Sequence, residues 1–403
     1  MTNAIFTICS INYLGQAQTL MRSVRVHEPN SCCYIILVDR KTKILDFNEA
    51  KVIWLEDLDL RDIEHKAFIF DVLELNTNIK PSSLKYLLKT HENCIYLDPD
   101  TFLYSPLDPI WEGLSDANIV LTPHTISPQL KTHYPWNQDH LRHGGFNLGF
   151  IGVKNSSETL RFLDWWEFSC LTSGFNAPAD GFYVDQKFID HAHMFFDGVK
   201  VLRHKGLNVA YWNLHERFIA ETDGSLWVGT DLLVFMHFSG FIYAPDKKDI
   251  EKITKYSNEI TLEKRPDLRL IFEGYRSELK ISKFESFRDI PYSFSKFDNG
   301  VEITQVARRL VGSGVIEIKR DSKTFFLSGG DLYKTLKKIG ALQDKGSIKI
   351  TRNLNIENKQ LNIAKRILRA TFYVIGLQRY MKLMKFFGFA ASTFNLEFLI
   401  KNK

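Results

Sequence analysis

Residues 94–109 read Cys-Ile-Tyr-Leu-Asp-Pro-Asp-Thr-Phe-Leu-Tyr-Ser-Pro-Leu-Asp-Pro, and the apolar run at their start decides how the chain is read. That run, 94–97, is too short for a helix and has the flanks of a buried strand. It delivers two carboxylates, Asp98 and Asp100, with Pro99 between them. In an extended chain residues two apart share a face, so the two acids are expected to converge at the strand's end. Pro99 stiffens the backbone and stops the ladder from continuing. Adjacent carboxylates repel in a partly dry site unless a cation lies between them. Hard oxygen ligands suit Mg²⁺ or Mn²⁺, and Mg²⁺ is commonly held by one or two carboxylates together with substrate phosphates. The functional reading is a metal that grips a diphosphate; the plain one is Asp-Pro-Asp as ordinary turn chemistry.

Upstream, residues 4–9 read as a buried first strand ending in Ser10-Ile11-Asn12-Tyr13. Helical spacing over 14–26 follows, then a second strand over 33–38 with Asp39 at its carboxyl end, and a third over 51–55. A helical stretch over 63–75 and a helix over 84–89, capped by Ser82 or Ser83, lead into the Asp-x-Asp strand. Strands alternating with helices imply an α/β fold whose mixed, mainly parallel sheet is flanked by helices. Such sheets bind ligands at the carboxyl ends of their strands. Asn12, Tyr13, Asp39, Asp98 and Asp100 all fall there.

Downstream, 119–121 reads as another strand, and 122–145 as a long irregular loop carrying His124, His133, His140 and His143. Those spacings match no zinc ligand set, so a polar substrate loop is expected. Residues 146–153 form a strand whose two glycines imply close approach of a ligand or another backbone. An amphipathic helix over 160–172 carries Trp165-Trp166 as core, and 181–189 opens a further helix. Two strands, 208–213 and 232–238, come next, the second running into His237-Phe238-Ser239-Gly240. After about residue 245 the character changes: 247–269 is charge-dense, helices are expected over 271–284 and 301–311, and a hairpin over 315–327 through Asp321-Ser322. The expected domains are a sheet domain over 1–245, a mostly helical accessory region over 246–362 and a basic amphipathic tail over 363–403.

With 44% apolar and 25% charged residues, the 403-residue chain is globular and long enough for two domains. Its 31 Phe, 15 Tyr and 7 Trp imply a deep core, sugar-stacking surfaces, or both. A net charge of +5 is too small to argue for nucleic acid. The charge is a property of the tail, where eight basic residues stand against one acid and leave the remainder slightly acidic. The five cysteines show no metal-ligand spacing and read as reduced core residues of a cytosolic protein. The first residues carry no export pattern, and no run of about eighteen apolar residues spans a bilayer. A cytoplasmic location is expected, soluble or peripheral at the inner face of the plasma membrane.

Four segments in order resemble one family. Tyr-Leu-Asp-Pro-Asp at 96–100, Phe-Asn-Leu-Gly at 146–149, Val-Asp-Gln at 184–186 and His-Phe-Ser-Gly at 237–240 look like the motifs of retaining nucleotide-sugar glycosyltransferases with the GT-A fold. The likeness is to the lipopolysaccharide galactosyltransferase and glycogenin type, and more closely to bacterial capsule or O-antigen transferases. It implies a GT-A, Rossmann-like catalytic domain and a donor such as UDP-hexose. The implied acceptor is a glycan or lipid-linked sugar. By resemblance Asp98, Asp100 and His237 are the metal ligands for Mn²⁺ or Mg²⁺, and Ser239 and Gly240 complete that motif. Asn12 and Tyr13 match the nucleotide-binding turn, although Ser10-Ile11 stand where the family often has an acid. Lys80 or Lys85 would hold phosphate or replace the family's arginine. Asp185 and Gln186 would bind the donor sugar and stabilise the developing oxocarbenium, and Asn147 would touch donor or acceptor. The family's lysine six residues after the histidine is missing; Tyr243 stands there, leaving Lys247 or Lys248 as substitutes. Arg217 is read either as a phosphate partner or as part of a structural salt bridge.

In the tail, 364–389 interleaves bases with large apolar side chains, as a helix lying in an anionic membrane interface would. Packing on the protein or on a partner are the alternatives. Two other readings of the whole chain stand beside the transferase: a sugar nucleotidyltransferase, and a non-catalytic nucleotide-sugar-binding protein. The loop after the first strand lacks the glycine-rich basic pattern the former would show.

Overall fold

The computed structural model describes residues 2–42, 49–128, 136–243, 252–318, 324–342, 359–392 and 395. The chain forms two compact units, one of residues 1–63 and 72–293, the other of 64–71 and 294–403.

The strands of the first unit, in chain order, are β1 (Thr2–Cys9), β2 (Cys32–Leu37), β3 (Lys51–Trp54), β4 (His91–Leu97), β5 (Thr101–Leu103), β6 (Ile119–Pro123) and β7 (Phe146–Lys154). After these come β8 (Asn176–Ala177), β9 (Phe182–Tyr183), β10 (Val199–Val201), β11 (Ile219–Thr222), β12 (Ser225–Val228), β13 (Asp231–Leu232) and β14 (Phe235–His237). Seven of them make one sheet in the order β10-β6-β7-β4-β1-β2-β3. Only β7 runs antiparallel to its neighbours, β4 and β6. This is the α/β fold with a mixed, mainly parallel sheet that the strand–helix alternation implied. Between β1 and β4 the strand order reverses, and the chain leaves both strands on the same edge, opening the crevice where such sheets bind ligands.

Helix α1 (Leu14–His27) covers one face of the sheet with Leu14, Ala17, Leu20, Met21 and Val24, spaced three and four apart and fully buried. Next come α2 (Ile63–Ile69), whose residues from Glu64 onward belong to the second unit, and then α3 (Val72–Asn78). Helix α4 (Lys80–Leu88) starts four residues earlier than expected. Pro81 sits in its first turn, where a missing N–H costs nothing, and Ser83 Oγ donates back to Ile79 O instead of capping. Following α5 (Asp108–Asp116), the expected irregular loop contains α6 (Trp136–His143), while His133 lies outside the described residues. Helix α7 (Ser157–Ser173) is capped by Ser156, whose Oγ accepts from Thr159 N, and buries Phe162, Trp166 and Cys170 at four-residue spacing.

Expectations fail locally in several places: the helix expected over 63–75 breaks after Ile69 into α2 and α3, and the strand expected over 232–238 divides between β13 and β14 of different sheets. Residues 181–189 do not open a helix: Val184 sits at φ 41°, and only after Lys187 does the chain coil, into a short 3₁₀ turn and α8 (Ala192–Phe195). Nor are 208–213 a strand. Asn213 accepts from Ala210 N and donates to His124 O and Asn208 O, bonds that compete with a ladder, and only Val209 bridges to Met236. Past β14, α9 (Arg269–Ile281) and α10 (Phe284–Phe287) pack within the same unit. Phe238 stacks on Tyr275 of α9 with ring centroids 3.7 Å apart, so the residue after His237 is pinned into a core.

The second unit has α11 (Gln305–Gly312), α12 (Asp331–Lys338), α13 (Lys359–Ile375) and α14 (Leu377–Ala391). The expected turn at Asp321-Ser322 lies outside the described residues. Phe68 meets Phe297, Phe325 and Phe326 in a small aromatic core. Beside it the buried Arg308 donates to the carbonyls of Ala67, Phe68, Phe70 and Phe294. Arg308→Leu strands those carbonyls without donors and should destabilise the second unit by roughly 3–5 kcal/mol. Chemical denaturation followed by a probe in that unit measures the shift.

Candidate functional site

Asp98 follows β4 directly, and its N–H donates to Gly149 O of β7 at 2.8 Å. A turn then closes: Thr101 N and Thr101 Oγ1 both donate to Asp98 O, at 3.1 and 2.8 Å. Pro99, with its fixed φ, occupies the second position of that turn. The acids converge because the chain turns, not because an extended strand alternates, so the strand-alternation expectation is corrected. Turn and site are the same structure.

The third member arrives on β14, which pairs antiparallel with β5 and sets His237 opposite Thr101. Phe238 N donates to Asp100 O at 2.7 Å. His237 Nε2 lies 3.1 Å from Asp100 Oδ1 and 3.6 Å from Asp98 Oδ2. Among the described residues these three are the one group of His, Cys, Asp or Glu spaced to hold a metal ion. Metal–ligand bonds of about 2.1 Å set neighbouring ligand atoms about 3 Å apart. The His237–Asp100 spacing matches and the His237–Asp98 one is longer, and two carboxylates with an imidazole suit Mn²⁺ or Mg²⁺. Burial opposes charge on His237, but Asp100 and Asp98 outweigh it and raise its pKa. Burial likewise pushes Asp100 up, yet His237 holds it below the usual carboxylate range.

Asn208, which the sequence reading passed over, orients the ring. His237 Nδ1 is 3.2 Å from Asn208 Oδ1. With Nδ1–H donating there, the Nε2 lone pair faces the acids, the tautomer a ligand needs. Asn208 itself stands at φ 52° and donates to Thr122 Oγ1 and Asn147 Oδ1, both at 3.0 Å. Trp212 meets the imidazole edge-on at 5.1 Å. Under the ring lies Gly149, where an added Cβ would come within 2.5 Å of His237 Cε1. What approaches this strand glycine is the imidazole. It is neither a ligand nor another backbone.

Behind the acids sits a buried lysine. Lys80 Nζ is 2.9 Å from Asp185 Oδ2 and 3.8 Å from Asp98 Oδ1, and donates to Leu148 O at 2.7 Å. It also lies over the Tyr96 ring, whose hydroxyl donates to Asp98 Oδ1. Burial works against the ammonium, but the two carboxylates prevail and raise its pKa. Burial pushes Asp185 up to about 6 despite Lys80. Trp166 Nε1 donates to Asp185 O, which gives that tryptophan a part in the site as well as in the core. Gln186 spends both ends of its amide on the scaffold: Oε1 accepts from Leu148 N and Nε2 donates to His143 O. Asn147 Oδ1 accepts from Gly149 N.

The remaining expected residues divide. The ring of Tyr13 is 38% exposed on the rim; burial and then Asp100 push its pKa up to about 12. Asn12 Oδ1 accepts from Ser10 Oγ, and the buried Asp39 accepts from Ile11 N and Ser293 N, latching the turn after β1. Lys85 is paired with Asp164 and Glu167 of α7 and serves to join two helices. Arg217 is buried, donates to Leu207 O, and burial pushes its pKa down to about 10, so the structural reading fits it. His124 stacks on His140, and Lys247 and Lys248 lie outside the described residues. Ser239 O accepts from Thr254 Oγ1 and Gly240 O from Lys255 N. Gly240, at φ 69°, leaves room for Tyr256, whose ring an added Cβ would meet at 2.6 Å. This returning segment brings exposed Lys255 close enough to lower the Asp100 pKa and lays its Nζ over the Tyr256 ring at 5.1 Å. Nothing in the spacing of Lys255, so far along the chain from His237, could have flagged it. Tyr183, beside Asp185 and Tyr256, was legible only as a neighbour of Val-Asp-Gln.

No family model matches the chain. It is 28% identical over 294 residues, 69% of this chain and 92% of the relative, to the uncharacterized protein YfnF of Bacillus subtilis (strain 168). To the uncharacterized protein YfnD of the same organism it is 25% identical over 252 residues, 60% of this chain and 79% of that one. Among solved structures it is similar to the galactosyltransferase LgtC in complex with donor and acceptor sugar analogs, at 14% identity, 72% and 98% coverage and a TM-score of 0.40. It is also similar to the glycosyltransferase GlyE of Streptococcus pneumoniae TIGR4, at 14% identity, 77% and 74% coverage and a TM-score of 0.39. Chemistry assigned to the site rests on its own geometry.

Gly149→Ala should displace the imidazole and weaken Mn²⁺ binding about 10- to 100-fold while the sheet stays folded. Titration calorimetry with Mn²⁺, alongside thermal unfolding, reads both; unchanged affinity would contradict the seating of His237 on β7.

Proposed function

We propose that the protein is a metal-dependent glycosyltransferase that moves a sugar, with retention, from a nucleoside-diphosphate donor such as UDP-hexose to a glycan or lipid-linked acceptor in bacterial surface polysaccharide synthesis on the cytoplasmic side. The meeting of Asp98, Asp100 and His237 at the strand-order reversal, with an exposed tyrosine ring beside them, carries this reading. The donor set is built for a hard dication, and a hard dication beside an aromatic face suits a nucleoside diphosphate.

Asp98, Asp100 and His237 would hold Mn²⁺ or Mg²⁺, which when bound supplies charge neutralisation on the departing diphosphate worth several kcal/mol. Tyr13 offers its ring to the base. Lys255 presents an ammonium from the rim and takes the place of the lysine missing six residues after His237. Asp185, buried and ion-paired with Lys80, sets a negative field behind the donor sugar. A carboxylate so held stabilises positive charge at the reacting carbon and is not a free nucleophile. Gln186 and Asn147 fix the loop and strand that carry the donor sugar, and Ser239 and Gly240 fix the segment that carries Lys255.

The test is donor turnover without acceptor, across a panel of nucleotide sugars. Nucleoside diphosphate and free sugar should appear with Mn²⁺ or Mg²⁺, stop with EDTA, and fall about a thousandfold or more in Asp98→Asn and Asp100→Asn. Pyrophosphate release from a sugar 1-phosphate and a nucleoside triphosphate, with no turnover of the nucleotide sugars alone, would instead indicate a nucleotidyltransferase, and binding without turnover a non-catalytic module. Lys255→Ala should raise the donor KM about tenfold, with Lys255→Arg restoring most of it.

A further inference from the structure

We infer that α13 and α14 form a helical hairpin that lies in the interface of an anionic membrane. This goes beyond the proposed chemistry and does not rest on it. The hairpin turns at Gly376, whose φ of 75° favours glycine over any residue with a Cβ. Its inner face holds Phe372, Ile375, Tyr380, Leu383 and Met384, all half-buried, with the Phe372 and Tyr380 rings 5.9 Å apart. No described side chain of either helix is buried. The large apolar side chains that remain are left out in water: Ile367 is 61% exposed, Val374 83%, Phe386 59% and Phe389 66%. So dense an exposed apolar set marks a surface meant to be covered.

Charge selects the cover. Between residues 359 and 391 there is no acidic side chain, whereas Arg366, Arg369, Arg379, Lys382 and Lys385 are all exposed. A second copy of this face would set like charge against like, and a protein partner would have to present a matching acidic face. An anionic lipid surface attracts it, at about 1 kcal/mol per basic residue near the headgroups. The helices have 17 and 15 residues, and no helix among the described residues is long and apolar enough to cross a membrane. Bases interrupt the apolar positions throughout, so the hairpin rests in the plane of the headgroups with its apolar side chains dipped into the acyl boundary. Arginine and lysine stems reach back to the phosphates.

The test is co-sedimentation of the full chain with vesicles of phosphatidylcholine containing phosphatidylglycerol, and with phosphatidylcholine alone. Binding to the anionic vesicles should be at least about tenfold tighter and should weaken with added salt. Two sets of substitutions separate the contributions: Phe386→Ser with Phe387→Ser and Phe389→Ser, and Arg366→Glu with Arg369→Glu and Arg379→Glu. All six side chains are exposed, so thermal unfolding should be unchanged in both. Loss of vesicle binding in both sets supports the inference. Equal binding to the two vesicle types, binding that survives both sets, or no vesicle binding at all would overturn it. So would a dimer, seen by analytical ultracentrifugation, that the serine set dissolves while vesicle binding stays absent.

Discussion

The pairing of β14 with β5, continued by the bond from Phe238 N to Asp100 O, is the constraint on which the site depends. Without it, the two acids would form an isolated turn, and the histidine would belong to a different part of the chain. Phe238 reinforces that pairing from the other side by stacking on Tyr275 of α9. Residues alternate along β14, so when Phe238 is driven into the apolar core, His237 must face the acids. The hydrophobic effect on one residue thus aims the polar chemistry of the next. It also explains why the sheet-bearing unit extends through Ser293: α9 supplies the surface against which the histidine strand is held.

The sheet and the acid pair were legible in the sequence for different reasons. Short apolar runs at β1, β2 and β4 alternate with stretches of helical spacing, and that alternation implied the fold class. Asp98 and Asp100 were legible as a site but for an incomplete reason, since local periodicity does not reveal that the backbone turns between them. What stayed hidden depends on contacts between segments remote in the chain. Asn208 looked like part of a strand, because nothing local shows that Asn213 will claim its carbonyl. Lys255 approaches Asp100 only through the bridge between Phe241 and Thr254. The hairpin of β11 and β12 carried a local signal that went unread: Asp223-Gly224, both at positive φ, is the pair a tight two-residue hairpin turn favours.

Lys80 shows how burial changes a residue's meaning. A lysine just before an Asp-x-Asp strand reads as a candidate for phosphate, yet this one is 2% exposed and spans Asp185 and Asp98. Its charge links Asp98 of the candidate metal site to the buried Asp185. Lys85, one helical turn and a half further on, faces α7 instead and has no such link. Two lysines equivalent in sequence spacing are separated by the helix's rotation alone.

The glycine beneath the imidazole divides the site into parts of unequal evolutionary freedom. Its floor is main chain: Gly149, its carbonyl bonded to Asp98 N, and the ring resting where a side chain would otherwise be. Any side chain at Gly149 would take the space the imidazole fills, so that floor tolerates little change at this position. The overhanging tyrosines and Lys255 carry no such restriction. Substitutions in the overhang could therefore change what the crevice admits while the arrangement of Asp98, Asp100 and His237 stays as it is.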